Sequence, residues 1–262
     1  MSSSESTQEE TPDPNEVLYT AVGVEAGLGV VAIILGMLIG PSARALVPQL
    51  NQTDWIAVVG GLGLGVVATL PLLGFIAIVR RINHPAIREL ESLSDHPMLR
   101  TMLRLRPIEL LIISLCAGIG EELLFRGWMM PFFAGPEASL VTADADAAVR
   151  WYATGGWLGD ATVTWSDISW ASLKDWLSDH AGSSLGLALI ASSIAFGLFH
   201  PISKLYVGLT AVMGLYFGIL LIVTGNLLVP ITAHALYDAI QLWSASAQAR
   251  DEMVTESPAV AE

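Results

Sequence analysis

The chain has 262 residues, 53% of them apolar and only 14% charged, with a formal net charge of −13. A soluble domain carries about a quarter charged residues, whereas residues 55–79 and 205–233 contain no Asp, Glu, Lys or Arg at all. Runs of about 20 such residues cross a bilayer as helix, which excludes an ordinary soluble enzyme and a largely disordered chain; the acidic balance argues against a nucleic-acid partner, which calls for a basic patch.

Residues 1–16 are polar and acidic and read as a disordered tail with no cleavable leader. A single transmembrane domain, 17–245, follows. Its apolar runs predict an all-α, polytopic helix bundle of about six transmembrane helices around a polar cavity. The first runs from about Leu18 to Gly40 and the second from Trp55 to Val79. A charged connection occupies 80–106, and the third span runs from Pro107 to Phe133. After a long polar segment, 134–182, come spans at Ser183–His200, Ser203–Val223 and Asn226–Trp243. Residues 246–262 read as a second disordered, acidic tail.

Arg80, Arg81, Arg88, Arg100, Arg104 and Arg106 put half of the twelve basic residues in the 80–106 connection. By the positive-inside rule this connection and both termini are expected in the cytoplasm, and the chain in the cell membrane. The 134–182 segment then lies outside. It holds five of the eight tryptophans, and Trp170, Leu173 and Leu177 share a helical face suited to the interface. Asn51-Gln52-Thr53 is a sequon in a predicted external loop. Four glycine pairs at four-residue spacing (Gly23/Gly27, Gly36/Gly40, Gly61/Gly65 and Gly214/Gly218) predict close helix approaches.

Ionisable residues inside a span are costly and mark a partner or a job. Glu121-Glu122 and Arg126 lie well inside the third span. Residues four apart are neighbours on a helix, so Glu122 is expected to pair with Arg126. Glu121 points about 100° away and lacks that partner, as a general base does; a structural cluster is the other reading. His200 stands four residues after Phe196 at the end of span four. His234 and Asp238 share a face of span six. Such sets serve hydrolysis and also the proton relays of transporters. Glu25, the one ionisable residue in spans one and two, reads as part of a proton pathway or as a hydrogen-bonding partner for a neighbouring helix. One cysteine, Cys116, excludes an internal disulfide, and in apolar surroundings its thiol is inert.

EExxxR, FxxxH and HxxxN/D, in that order on successive membrane helices, resemble the three motifs of the CPBP family. These are the type II CAAX prenyl proteases and the bacteriocin-processing (Abi) intramembrane endopeptidases. The match is Glu121-Glu122 with Arg126, Phe196 with His200, and His234 with Asp238. The resemblance implies an all-helical membrane fold with a water-filled cavity, and hydrolysis of a peptide bond in a membrane-bound peptide or protein, with membrane lipid as the other partner. It assigns water activation to Glu121 and His200, the oxyanion to His234 and Asp238, and helix orientation to Glu122 and Arg126. Asp238 stands where prenyl proteases carry Asn, and an ionised aspartate donates no hydrogen bond. A non-catalytic scaffold or immunity-type protein of the same fold, and a proton-coupled transporter, are the alternatives.

Whether a metal takes part stays open at this level. Glu121, His200 and His234 make a possible three-ligand zinc site with one open position, and metal-free water activation uses the same residues. Depth poses a second question. At ~1.5 Å per residue, Glu121 lies roughly 21 Å from the start of span three, and His234 at a matching level. His200, counted the same way, falls only a few Å from the cytoplasmic boundary.

Overall fold

The computed structural model describes residues 12–48, 55–85, 87–88, 97–135 and 184–256. The sequon at Asn51, the Trp-rich helix and almost all of the 134–182 segment lie outside the described residues. Every regular element among the described residues is helical: α1 (Pro14–Leu38), α2 (Trp55–Val79), α3 (Pro97–Leu103), α4 (Pro107–Glu122), a π-helical segment (Leu123–Met129), α5 (Met130–Ala134), α6 (Ser184–Leu198), α7 (Lys204–Thr224) and α8 (Leu228–Glu256).

The helices start where the local chemistry allows. Asp13 Oδ1 accepts the Asn15 backbone N–H ahead of α1, whose first residue is Pro14. Pro107 opens α4, and the Glu109 carboxylate accepts the Arg106 backbone N–H at 2.7 Å. Ser203 Oγ accepts from Tyr206 N at the start of α7, and Gly225 ends that helix at φ +62°. Proline fits the first helical position because its missing N–H is one that has no partner there. Two boundaries differ from the sequence reading. α1 begins at Pro14, within the segment read as a tail. α8 continues past Trp243 to Glu256, held by Ser246 Oγ donating to Leu103 O and Arg250 Nη2 donating to Leu105 O.

α1, α2 and α7 are long and apolar enough to cross a membrane. Val30, Ile34, Met37, Val59, Val67 and Leu70 are exposed on α1 and α2, the all-round apolarity of helices that face lipid. The third apolar run is interrupted by four charged residues, and α6 has only 15 residues, short of a full crossing.

The elements pack around the α4–π–α5 axis. α1 lies on one side of α4 and α8 on the other; α2 covers α8, while α6 and α7 pair with each other and close over α5 and the π segment. Leu123, Leu124, Phe125 and Trp128 meet Ala32, Leu72, Phe196, Phe217 and Ala233 in one buried core. Without a hydrophobic force between helices in lipid, such contacts depend on small residues that let backbones approach. Gly61 and Gly65 meet α8 in this way, and Gly214 and Gly218 meet α6, whereas nothing comes within 4 Å of a Cβ placed on Gly23 or Gly27. The closest approach lies at Gly120, where a Cβ would stand 1.9 Å from Glu25 O.

The depth of His200 also resolves. α6 starts beside the end of α5, with Leu185, Ala188 and Leu189 packed on Met130 and Ala134. It then runs back about 22 Å, close to the distance from Ala134 to Glu121 at the same rise. The α6–α7 corner therefore sits at the level of Glu121. Counting α6 inward from a full-length span placed it too near the boundary.

Candidate active site

The site begins where α4 stops being α-helical. Glu121 and Glu122 are the last residues of α4, and the π segment that follows carries Arg126. Met130 N–H reaches back five residues to Phe125 O, the widened turn that π-helices insert, often at functional sites. Gly127 allows that wide turn to lie against the α1–α2 connection, since a Cβ there would be 2.3 Å from Ala43 O.

Glu122 and Arg126 form the expected pair, fully buried, with Nη1 donating to Oε1 at 3.0 Å. Two further contacts tie the pair to other helices. Arg126 Nη2 donates to Gly214 O of α7 at 2.8 Å, and His234 Nδ1 donates to the same Glu122 oxygen at 2.9 Å. Around the guanidinium stand three aromatic rings, with Phe196 4.2 Å, Phe217 5.4 Å and Phe125 5.8 Å from its carbon. A desolvated cation over ring faces gains cation–π stabilisation, which offsets the unpartnered Arg126 Nε. Phe217 also stacks on the His234 ring, centroids 4.8 Å apart and planes 17° from parallel.

The second motif acts as one unit. Phe196 supplies the ring nearest Arg126, and its carbonyl accepts from His200 Nδ1 at 2.8 Å. A carbonyl cannot donate, so Nδ1 carries the hydrogen and Nε2 is left with a free lone pair. That nitrogen faces Glu121 Oε1 at 3.6 Å. Glu121 forms no ion pair with Arg126, whose Nη1 and Nη2 are taken by Glu122 and Gly214 O. Glu121 Oε2 is buried with no hydrogen-bond partner, and the same holds for Oε2 of Glu25 on α1.

The third motif closes the cluster. His234 Nε2 lies 3.4 Å from Asp238 Oδ2, so each nitrogen of this ring faces a carboxylate. Of the seven motif side chains, His200 and Asp238 are the most exposed, at 22% and 29%. Approach to the cluster is therefore along that edge. One turn beyond Asp238, Gln241 Oε1 accepts from Arg80 Nη2 at 2.9 Å, which places the edge towards the arginine-rich end of the bundle. A cavity of about 410 Å³, lined by Ser42, Arg44, Ala45, Val47 and Pro48, lies apart from these groups, at the α1–α2 connection.

The structure thus brings Glu121, Glu122, Arg126, His200, His234 and Asp238 into one contiguous cluster. The zinc set does not converge in the same way. Both nitrogens of His234 face carboxylates other than Glu121, and among the described residues no group of three His, Cys, Asp or Glu side chains could hold a metal ion. Sequence reasoning missed Gly214 O and Phe217, which bear no local motif, and left the partner of Glu25 open. Cys116 is half-buried on α4.

No curated protein and no solved structure matches the chain. One family does: that of the type II CAAX prenyl endopeptidases, Rce1-like, matches residues 104–240, a stretch that contains all seven motif residues.

Proposed function

The chain belongs to the Rce1-like family of type II CAAX prenyl endopeptidases, and from that premise we propose that it hydrolyses a peptide bond of a membrane-associated substrate with a water held between Glu121 and His200. The observation that carries this reading is the 3.6 Å separation of His200 Nε2 and Glu121 Oε1. It is too long for a direct hydrogen bond. A water about 2.8 Å from both atoms would subtend an angle of about 80° and donate one hydrogen to each. Its lone pairs are then free to attack a carbonyl carbon.

As the C–O bond forms, Glu121 takes the water's proton and later gives it to the leaving amine when the C–N bond breaks. Charge develops on the carbonyl oxygen. An N–H at His234 Nε2 is the donor best placed to meet it, because Glu122 fixes the other side of the ring. Asp238 aligns that ring. Glu122 and Arg126 hold the ring's foundation and do not touch the substrate. This mechanism uses no metal; of the three donors that zinc would require, His234 has both nitrogens facing Glu122 and Asp238. The arginine-rich end faces the cytoplasm in this reading, so substrate enters between His200 and Asp238 from that side.

Purified protein in lipid nanodiscs, given a membrane-anchored peptide, tests the proposal. Glu121→Gln is expected to lower kcat by about 10²- to 10⁴-fold with the melting profile unchanged. Cleavage at the wild-type rate by that variant would remove Glu121 as the base. Activity should survive dialysis against a chelator; a loss restored by zinc would replace the metal-free mechanism. Substrate-driven proton flux without cleavage would favour transport.

A further inference from the structure

We propose that the cavity at the α1–α2 connection is a lipid site, in which Arg44 and Ser42 hold the headgroup phosphate of an anionic phospholipid whose acyl chains lie along α1. The site depends on the chain standing in a bilayer and is independent of how the Glu121 cluster acts.

The fold builds this cavity. Residues 39–47 are tied near both ends: Trp128 Nε1 donates to Ile39 O at 2.9 Å, and Leu227 N–H donates to Leu46 O at 2.9 Å. Between these ties, Ala45 N–H reaches Ser42 O at 3.0 Å and Val47 N–H reaches Arg44 O at 3.1 Å. Ala43 is buried, and its carbonyl stands where a Cβ on Gly127 would go. Gly40 turns the chain at φ +88°, with the Phe132 ring filling the place of its side chain. The enclosed space of about 410 Å³ falls within the range of preformed small-molecule sites, about 300–1,000 Å³.

The lining selects the ligand. Ser42 supplies a hydroxyl and Arg44 a guanidinium, while Ala45, Val47 and Pro48 supply apolar surface. Among the described residues the Arg44 side chain has no hydrogen-bond or ion-pair partner. Its planar fork matches two oxygens of a phosphate. None of the five lining residues is an acid, so nothing there would receive the ammonium of a zwitterionic headgroup. Depth agrees. α2 carries the chain 25 residues from this connection to Arg80, about 36 Å at the helical rise. The cavity therefore lies a hydrocarbon core away from the arginine-rich end, at the opposite headgroup layer. Met37, Leu38 and Ile39 are exposed just before it, and Val30 and Ile34 are exposed further along α1. A free anion leaves that apolar track uncovered, whereas an acyl chain covers it.

Native mass spectrometry tests the site. The full chain is released from nanodiscs of equal phosphatidylcholine and phosphatidylglycerol, and the retained lipid is counted. Wild type is expected to keep one phosphatidylglycerol. Arg44→Gln is expected to lower that retention about fivefold, the scale of one cation–headgroup contact. Ala45→Trp, which fills the cavity and keeps the cation, should lose as much, and Arg81→Gln at the opposite end should lose nothing. Unchanged retention in Arg44→Gln overturns the proposal. So does an equal loss in Arg81→Gln, which marks unspecific attraction, or full retention in Ala45→Trp, which marks an arginine that merely reaches the headgroup layer. Equal retention of phosphatidylcholine overturns the choice of an anionic lipid. Millimolar inorganic phosphate should neither raise the melting temperature in phosphatidylcholine alone nor displace the retained lipid; if it does both, the occupant is a free anion. A clear fall in the melting of Arg44→Gln in phosphatidylcholine alone would give the side chain a structural partner and overturn the proposal as well.

Discussion

Glu122 and Glu121 leave α4 about 100° apart, and they enter different surroundings. Glu122 Oε1 accepts from Arg126 and His234, and the guanidinium beside it is enclosed by Phe196, Phe217 and Phe125. Both members of that ion pair are fully buried. Glu121 Oε1 lies 3.6 Å from an imidazole nitrogen with its lone pair free, and its Oε2 is buried with no hydrogen-bond partner. Its neighbour His200 is partly exposed. One acid is invested in holding four helices together, and the other is left under-partnered where a water can reach it. The contrast teaches that adjacent carboxylates can be divided between architecture and chemistry by which helix each one faces.

That division can be broken from the architectural side first. Removing one partner of a buried pair leaves an uncompensated charge. Arg126→Ala is therefore expected to destabilise the protein by about 3–5 kcal/mol, read as a shift in unfolding in bicelles, with activity lost only as the fold is lost. A variant that melts normally but is inactive would move Arg126 into the chemistry. A smaller effect is expected at the helix contact. Gly120→Ala places a methyl group on Glu25 O and should cost about 1–3 kcal/mol, the usual range for overpacking, with kcat falling as α1 moves away from Glu121. Smallest of all is the change at the rim. Asp238→Asn keeps an acceptor for His234 and adds N–H donors, so kcat should stay within about tenfold of wild type. A complete loss would show that the negative charge of Asp238 is itself required.

Much of this was legible in the sequence because membrane spans and i, i+4 pairs are local. The apolar runs located α1, α2 and α7, and the spacing of Glu122 and Arg126 predicted their contact. The depth of His200 was not legible. It depends on where α6 starts against α5, a contact between Leu185 and Ala134 that no local pattern encodes. The π segment was equally hidden, since Leu123–Met129 has a composition that suits an ordinary α-helix. Glu25 could be recognised as out of place in α1, but the packing of its backbone carbonyl on Gly120 of α4 joins positions far apart in the chain and has no local pattern. The tail reading failed at α8 for a similar reason: its last turns are held by Ser246 and Arg250 on the backbone of residues 103 and 105.

A double-mutant cycle on Glu121 and His200 tests the shared water most directly. Glu121→Gln, His200→Gln and the double variant are compared for kcat on a membrane-anchored peptide, with folding verified for each. Groups that act as a unit on one reacting molecule are strongly non-additive, so the double variant is expected to be about as slow as the worse single variant. Losses that multiply, or a single variant that retains wild-type kcat, would contradict the claim that these two side chains hold one attacking water.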